Sequence, residues 1–309
     1  MNSNSYRYSI FDPAGNVTAL VEGDVRIEDQ PDVAAVIMKA HPEVEQVGFV
    51  HFPDPSEDGY DIDLRMAGGE FCGNASCCAS VFYALNLFHS APDQSIGVKL
   101  RVSGTSDPVS VSVEPVDAVT FKTSIEMPAP ISISKRRFTY NQLSDELPVV
   151  IMEGIIHIII TPDSHFYDFV HNSKETLNNL EEGERSVPYI PQADSSRSRI
   201  NQCFPNDAEL AVQKWCNELQ SDGLGLMFLN RENDAYHLTP LVFVPGSGTI
   251  FWENSCASGS AAVGMYLAQN EGRKILLTLY EPGGKLSAAS DPMTGKTILS
   301  GAVRTVSKS

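Results

Sequence analysis

Two cysteines stand in matched settings. Placing Cys72 over Cys256 aligns CGNASCCASVFYAL with CASGSAAVGMYLAQ. Two places after each sulfur comes a helix-capping residue type, Asn74 or Ser258, and four places after comes a serine, Ser76 or Ser260. Both segments continue as the start of a helix. A thiol there lies among unpaired N–H groups at the positive end of the dipole, which favour its thiolate. Those N–H groups also bind carboxylates. Two such starts facing each other would hold one small carboxylic acid between two sulfurs. Inverting the α-carbon of an amino acid calls for that arrangement, since a proton leaves one face and another arrives at the opposite one, using one thiolate and one thiol. The helix starts would also stabilise charge developing toward the enolate. No metal is needed, and the adjacent Cys77–Cys78 pair and the absence of CxxC or HxxxH spacing do not suggest one. Cys77, Cys78, Cys203 and Cys216 lack the matched setting and read as small core hydrophobes.

The elements that must position these thiols follow from patterning. Short β-branched runs at residues 6–11, 18–22, 46–52, 62–66, 98–102 and 109–113 read as strands. Helical spacing recurs at residues 31–39, 75–87, 208–218 and 260–268. The fold class is therefore α+β. Each cysteine-bearing helix leads to an apolar strand and a glycine-containing turn, so the chain divides into two related halves, residues 1–120 and 121–309. The polar stretch 173–207 reads as a surface excursion of the second half.

A length of 309 residues accommodates about two domains at roughly 150 residues each. The formal charge of −17 argues against nucleic acid as a partner, because phosphate binding needs a concentrated basic surface. The densest basic cluster, Lys135, Arg136 and Arg137, reads as a solvated strand edge. The N-terminal stretch has no secretory pattern. The longest apolar run, residues 149–160, is broken by Glu153 and Gly154 and falls short of the roughly 20 residues that span a bilayer. The expectation is a soluble cytoplasmic protein with no membrane partner.

The segments AGN at 14–16, EQVGF at 45–49, GGEFCGNA at 68–75, VSG at 102–104, FWENSCASGSA at 251–261 and EPGG at 281–284 are spread through most of the chain. Together they resemble the diaminopimelate epimerase superfamily of cofactor-independent racemases and epimerases. That resemblance implies two related domains, each a mixed or antiparallel sheet wrapped around a central helix, with the site in the cleft between them and the last strand able to return to the first domain. It implies that Cys72 and Cys256 are the acid/base thiols. Gly73 with Asn74, and Ala257 with Ser258, would present N–H groups to the α-carboxylate. Asn16 would lie at the substrate, and His157 near the cleft. It further implies no cofactor, no metal, a small amino-acid substrate and a homodimer.

Within the superfamily EQVGF, EFCGNA and WENSC-x-SG are most similar to the histidine racemases that supply D-histidine for staphylopine-type metallophores. Glu45 and Glu253 match positions in those segments, and either would bind an ammonium or imidazole N–H by a charge-assisted hydrogen bond. The departures concern the substrate. Ile155 replaces a substrate-binding Asn of the diaminopimelate epimerases, and residues 246–251 lack their Glu-Arg pair, removing a bidentate partner for a distal carboxylate. Asp63 stands where the histidine racemases carry His, and Ala257 replaces the usual glycine after the second cysteine. The expectation is a pyridoxal-independent racemase with histidine the leading substrate. Diaminopimelate or another amino acid is the alternative, and a non-catalytic amino-acid-binding homologue a further one.

Overall fold

The computed structural model describes residues 6–53, 59–88, 94–170 and 207–308. Cys203 and the polar stretch 173–207, except its last residue, lie outside them. The chain runs β1 (Arg7–Pro13), β2 (Thr18–Glu22), α1 (Gln30–Ala40), β3 (Gln46–His51), β4 (Ile62–Met66), α2 (Gly73–Phe88), β5 (Ile96–Val102), β6 (Val109–Pro115) and β7 (Thr120–Met127). It continues with β8 (Ser132–Tyr140), β9 (Leu143–Met152), β10 (Ile155–Ile160), α3 (Asp207–Leu219), β11 (Leu224–Glu232), β12 (Ala235–Val244) and β13 (Thr249–Trp252). The last elements are α4 (Ala257–Glu271), β14 (Ile275–Glu281), β15 (Gly284–Asp291) and β16 (Lys296–Lys308). The fold is α+β, with the described strands joined in one 16-stranded sheet.

The pairing pattern occurs twice. From β1 to β7 it reads antiparallel, parallel, antiparallel, parallel, then antiparallel twice. The same order recurs through β9, β10, β11, β12, β14, β15 and β16. β16 pairs with β7 along one edge and with β1 at its far end, so β1–β7 and β16 close into a barrel. α2 packs against each of these strands from within, which is why its residues are buried nearly all round. α4 packs in the same way on β9–β11 and β14–β16. Both cysteine-bearing helices therefore start from fixed positions inside the sheet.

Two smaller cores flank the central one. α3 lays Ala211, Val212 and Trp215 against Phe138, Phe166 and Phe228, and α1 lays Val33, Ala34 and Ile37 against Val47 and Phe49. Full burial of side chains of this size contributes about 1.5–3 kcal/mol each, which anchors β3 beside the cysteines. The basic trio Lys135, Arg136 and Arg137 is exposed on β8, the sheet's edge strand. Cys77, Cys78 and Cys216 are buried. Among the described residues no helix is long and apolar enough to cross a membrane.

Candidate active site

The turn after β4 delivers Cys72 to the first turn of α2, and the turn after β13 delivers Cys256 to the N-cap of α4. The two helix starts abut: a Cβ placed on Gly73 would stand 2.9 Å from that of Ala257. The Asn74 side chain reaches across, its Nδ2 donating to the Ser255 carbonyl at 3.0 Å. Behind them the AGN and EPGG turns interlock. Gly15, at φ +91°, lies so close to Gly283 that a Cβ would come within 2.5 Å of the Gly283 Cα. One cavity of about 150 Å³ opens onto both sulfurs, lined also by Glu45, Gln46, Glu70, Gly73, Asn74, Glu253, Ala257 and Ser258. Its outer walls come from α1 (Ala34, Ala35, Met38) and the β12–β13 hairpin (Val242, Val244, Ser247, Thr249).

Hydrogen bonds run from Cys72 through Gln46 to Glu253. Cys72 Sγ donates to Gln46 Oε1 at 2.8 Å, and Gln46 Nε2 donates to Glu253 Oε1 at 3.3 Å. Cys256 Sγ stands 3.7 Å from Ser258 Oγ, and the Glu253 carboxylate raises its pKa. The Ala75 N–H donates to Cys72 Sγ at 3.3 Å, whereas Cys256 makes no side-chain cap bond. Instead the Cys256 N–H donates to Glu281 Oε2 at 2.6 Å, and Ser260 Oγ donates to Glu281 Oε1. The helix-start argument expects lowered thiol pKa values, but both are raised. Burial is the largest cause, and the Glu253 charge adds to it at each sulfur. Burial likewise pushes the Glu45 carboxyl up to about 7, and those of Glu253 and Glu281 up to about 8.

Of the residues singled out in the sequence, Cys72, Cys256, Glu45, Gly73, Asn74, Glu253, Ala257 and Ser258 converge on this cavity. Asn16 stands behind it, fully buried, its Nδ2 donating to Glu45 Oε2 at 2.9 Å while Asn254 Nδ2 donates to Glu45 Oε1 at 2.5 Å. His157 does not line the cavity. It is fully buried on β10, two residues from the cavity-lining Ile155 and on the same face. Among the described residues neither of its ring nitrogens has a partner, and burial pulls its pKa down to about 3. Asp63 lies apart, accepting Arg101 Nε at 2.9 Å. Four polar residues escaped the sequence reading: Gln46, Glu70, Asn254 and Glu281. Each lies inside a quoted segment, but only the fold shows which way its side chain is used. Among the described residues no group of three or more His, Cys, Asp or Glu is arranged to hold a metal ion.

Comparison with known proteins identifies the family. The family described as the histidine racemase CntK N-terminal domain matches residues 6–187 and 195–309. The chain is 26% identical over 293 residues to a histidine racemase of Staphylococcus aureus, covering 94% of this chain and 90% of that one. It is 29% identical over 259 residues to a histidine racemase of Fusobacterium nucleatum, covering 82% and 78%. Its fold is similar to that of a hydroxyproline epimerase from Agrobacterium vitis with bound trans-4-hydroxy-L-proline, at a TM-score of 0.60 and 10% identity over 98% of this chain and 91% of that one. A methylitaconate-delta-isomerase also shares it, at 0.54 and 11% over 98% and 94%.

Proposed function

The chain belongs to the histidine racemase CntK N-terminal domain family and is an isomerase, an amino-acid racemase; from that premise we propose that it interconverts L- and D-histidine by pyridoxal-independent two-base chemistry. The observation that carries the mechanism is the pair of cysteines at abutting helix starts on one cavity. The N–H groups of Gly73, Asn74, Ala257 and Ser258 hold the α-carboxylate, and Glu253 takes the α-ammonium. One sulfur, as thiolate, removes the α-proton and becomes a thiol. The opposite thiol protonates the other face and becomes the thiolate, so the two exchange roles at each turnover.

The lining of the cavity supports histidine over diaminopimelate. Three carboxylates line it, and no Lys, Arg or His does so among the described residues. A second α-amino-carboxylate would bring an unpaired anion into that field, whereas an imidazole is neutral or cationic. We read the twofold pairing pattern as two related domains of the diaminopimelate epimerase kind, divided between residues 1–120 and 121–309, with β16 returning to the first. A cytoplasmic homodimer supplying D-histidine for metallophore assembly completes the reading.

In deuterium oxide the enzyme is expected to place deuterium at Cα of histidine as its optical rotation decays, without added pyridoxal phosphate. Cys72→Ser and Cys256→Ser are each expected to lower kcat by at least a hundredfold, as general acid/base groups contribute about 10²–10⁴. Unchanged turnover in either variant overturns the two-base assignment. A chiral assay over a panel of L-amino acids with LL-diaminopimelate tests the substrate.

A further inference from the structure

Four carboxylates surround the cavity, and their hydrogen bonds separate them. Glu45 is satisfied on both oxygens by Asn16 and Asn254. Glu281 is satisfied by the Cys256 N–H and Ser260 and does not line the cavity. Glu253 accepts from Gln46 at 3.3 Å on the wall between the two cysteines. Glu70 differs from all three. It lines the cavity two residues before Cys72, and among the described residues its buried Oε2 has no hydrogen-bond partner, although the Gly68 and Glu70 N–H groups and Arg65 hold part of the carboxylate's charge. That oxygen would lie 2.4 Å from a Cβ on Gly68, a point that is itself 3.2 Å from Val244 on the facing wall. A buried carboxylate oxygen with no donor is costly, and each such case in a folded protein calls for a reason.

Building on the histidine reading above, we infer that Glu70 is the specificity-determining residue, its Oε2 accepting the N–H of the substrate's imidazole. The donor the chain itself does not offer is the one the substrate brings. The carboxyl group and the carbon under attack then lie toward the cysteines, with the side chain between Glu70 and the β12–β13 wall. A site built to accept an N–H discriminates strongly against an analogue lacking one, because that analogue leaves the buried acceptor unpaired. Gly68 keeps the place open: a methyl there meets the far end of a flexible side chain, so Gly68→Ala displaces the Glu70 carboxylate without changing charge.

The test compares L-histidine with L-3-(2-thienyl)alanine, a near-isostere without an N–H, by α-deuterium exchange in the wild type, Glu70→Gln and Gly68→Ala. The expected result is a loss of about tenfold or more in kcat/KM for histidine in both variants, on the order of one hydrogen bond to a charged group, with exchange of the thienyl analogue unchanged or faster. Arg65, whose charge acts on Glu70 and whose guanidinium stands over Gly69, supplies the rival role, a purely structural ion pair. An equal loss for both substrates, or unchanged histidine turnover in Glu70→Gln, overturns the inference. Wild-type enzyme that turns over other amino acids but not histidine overturns the histidine reading and this inference together. Wild-type turnover of histidine that Glu70→Gln leaves intact overturns this inference alone.

Discussion

Cys72 Sγ donates a hydrogen bond to an amide oxygen while Cys256 Sγ stands by the Ser258 hydroxyl under the charge of Glu253, so the matched thiols have unlike neighbours. Gln46 joins these environments by bridging to Glu253. Replacing it with Met keeps the volume and removes both hydrogen bonds. We expect kcat/KM to fall about tenfold, near the worth of one hydrogen bond to a charged group. The fall must be equal from L- and D-substrate, since enantiomers have equal free energies and the equilibrium constant stays at unity. Initial rates in the two directions check this. The cysteines were legible in the sequence because their surroundings repeat. Gln46, Asn254 and Glu281 were not, because their partners are 26, 209 and 25 residues away. His157 shows the opposite limit: its position in GIIHIII locates a strand but not how deep the ring lies.

At the scale of elements, periodicity and turn residues located β2 and β4 to the residue and the positions of α1 to α4. α2 and α4 begin earlier than their apolar spacing indicates, at Gly73 and Ala257, because a helix start buried against a second helix start needs small residues. The AGN and EPGG turns serve the same closeness. Gly15→Ala would force a side chain into Gly283 at a left-handed φ, with an expected cost of about 1–3 kcal/mol. Because these turns lie behind Glu45 and Asn254, KM should rise as well. Thermal melting with steady-state kinetics measures both effects, and a variant with native stability and KM would contradict the interlock.

For the molecule as a whole, burying several acids makes stability depend on pH. Glu253 and Glu281 titrate at about 8 in the folded state against 4.5 when unfolded, so the folded chain binds more protons between those values. Their contribution is complete below about 4.5 and is lost as pH rises through the folded values. His157 acts oppositely, but only below its unfolded value of 6.5. From pH 6.5 to 8, therefore, the melting temperature should fall. Glu281→Gln keeps an acceptor for the Cys256 N–H and should flatten that slope, as calorimetry across the interval would reveal.

The sequence by itself determined the α+β class, the twofold repeat, the two cysteines and the segments around them, because each of these is written in local order: spacing, capping types and self-similarity. Only the tertiary structure decided that β16 closes the barrel with β1 and β7, that the thiols are raised rather than lowered, and that Glu70 holds an unpaired oxygen while Glu45 does not. Burial, charge and hydrogen-bond satisfaction are sums over neighbours that the fold brings from distant parts of the chain. No local pattern carries that sum.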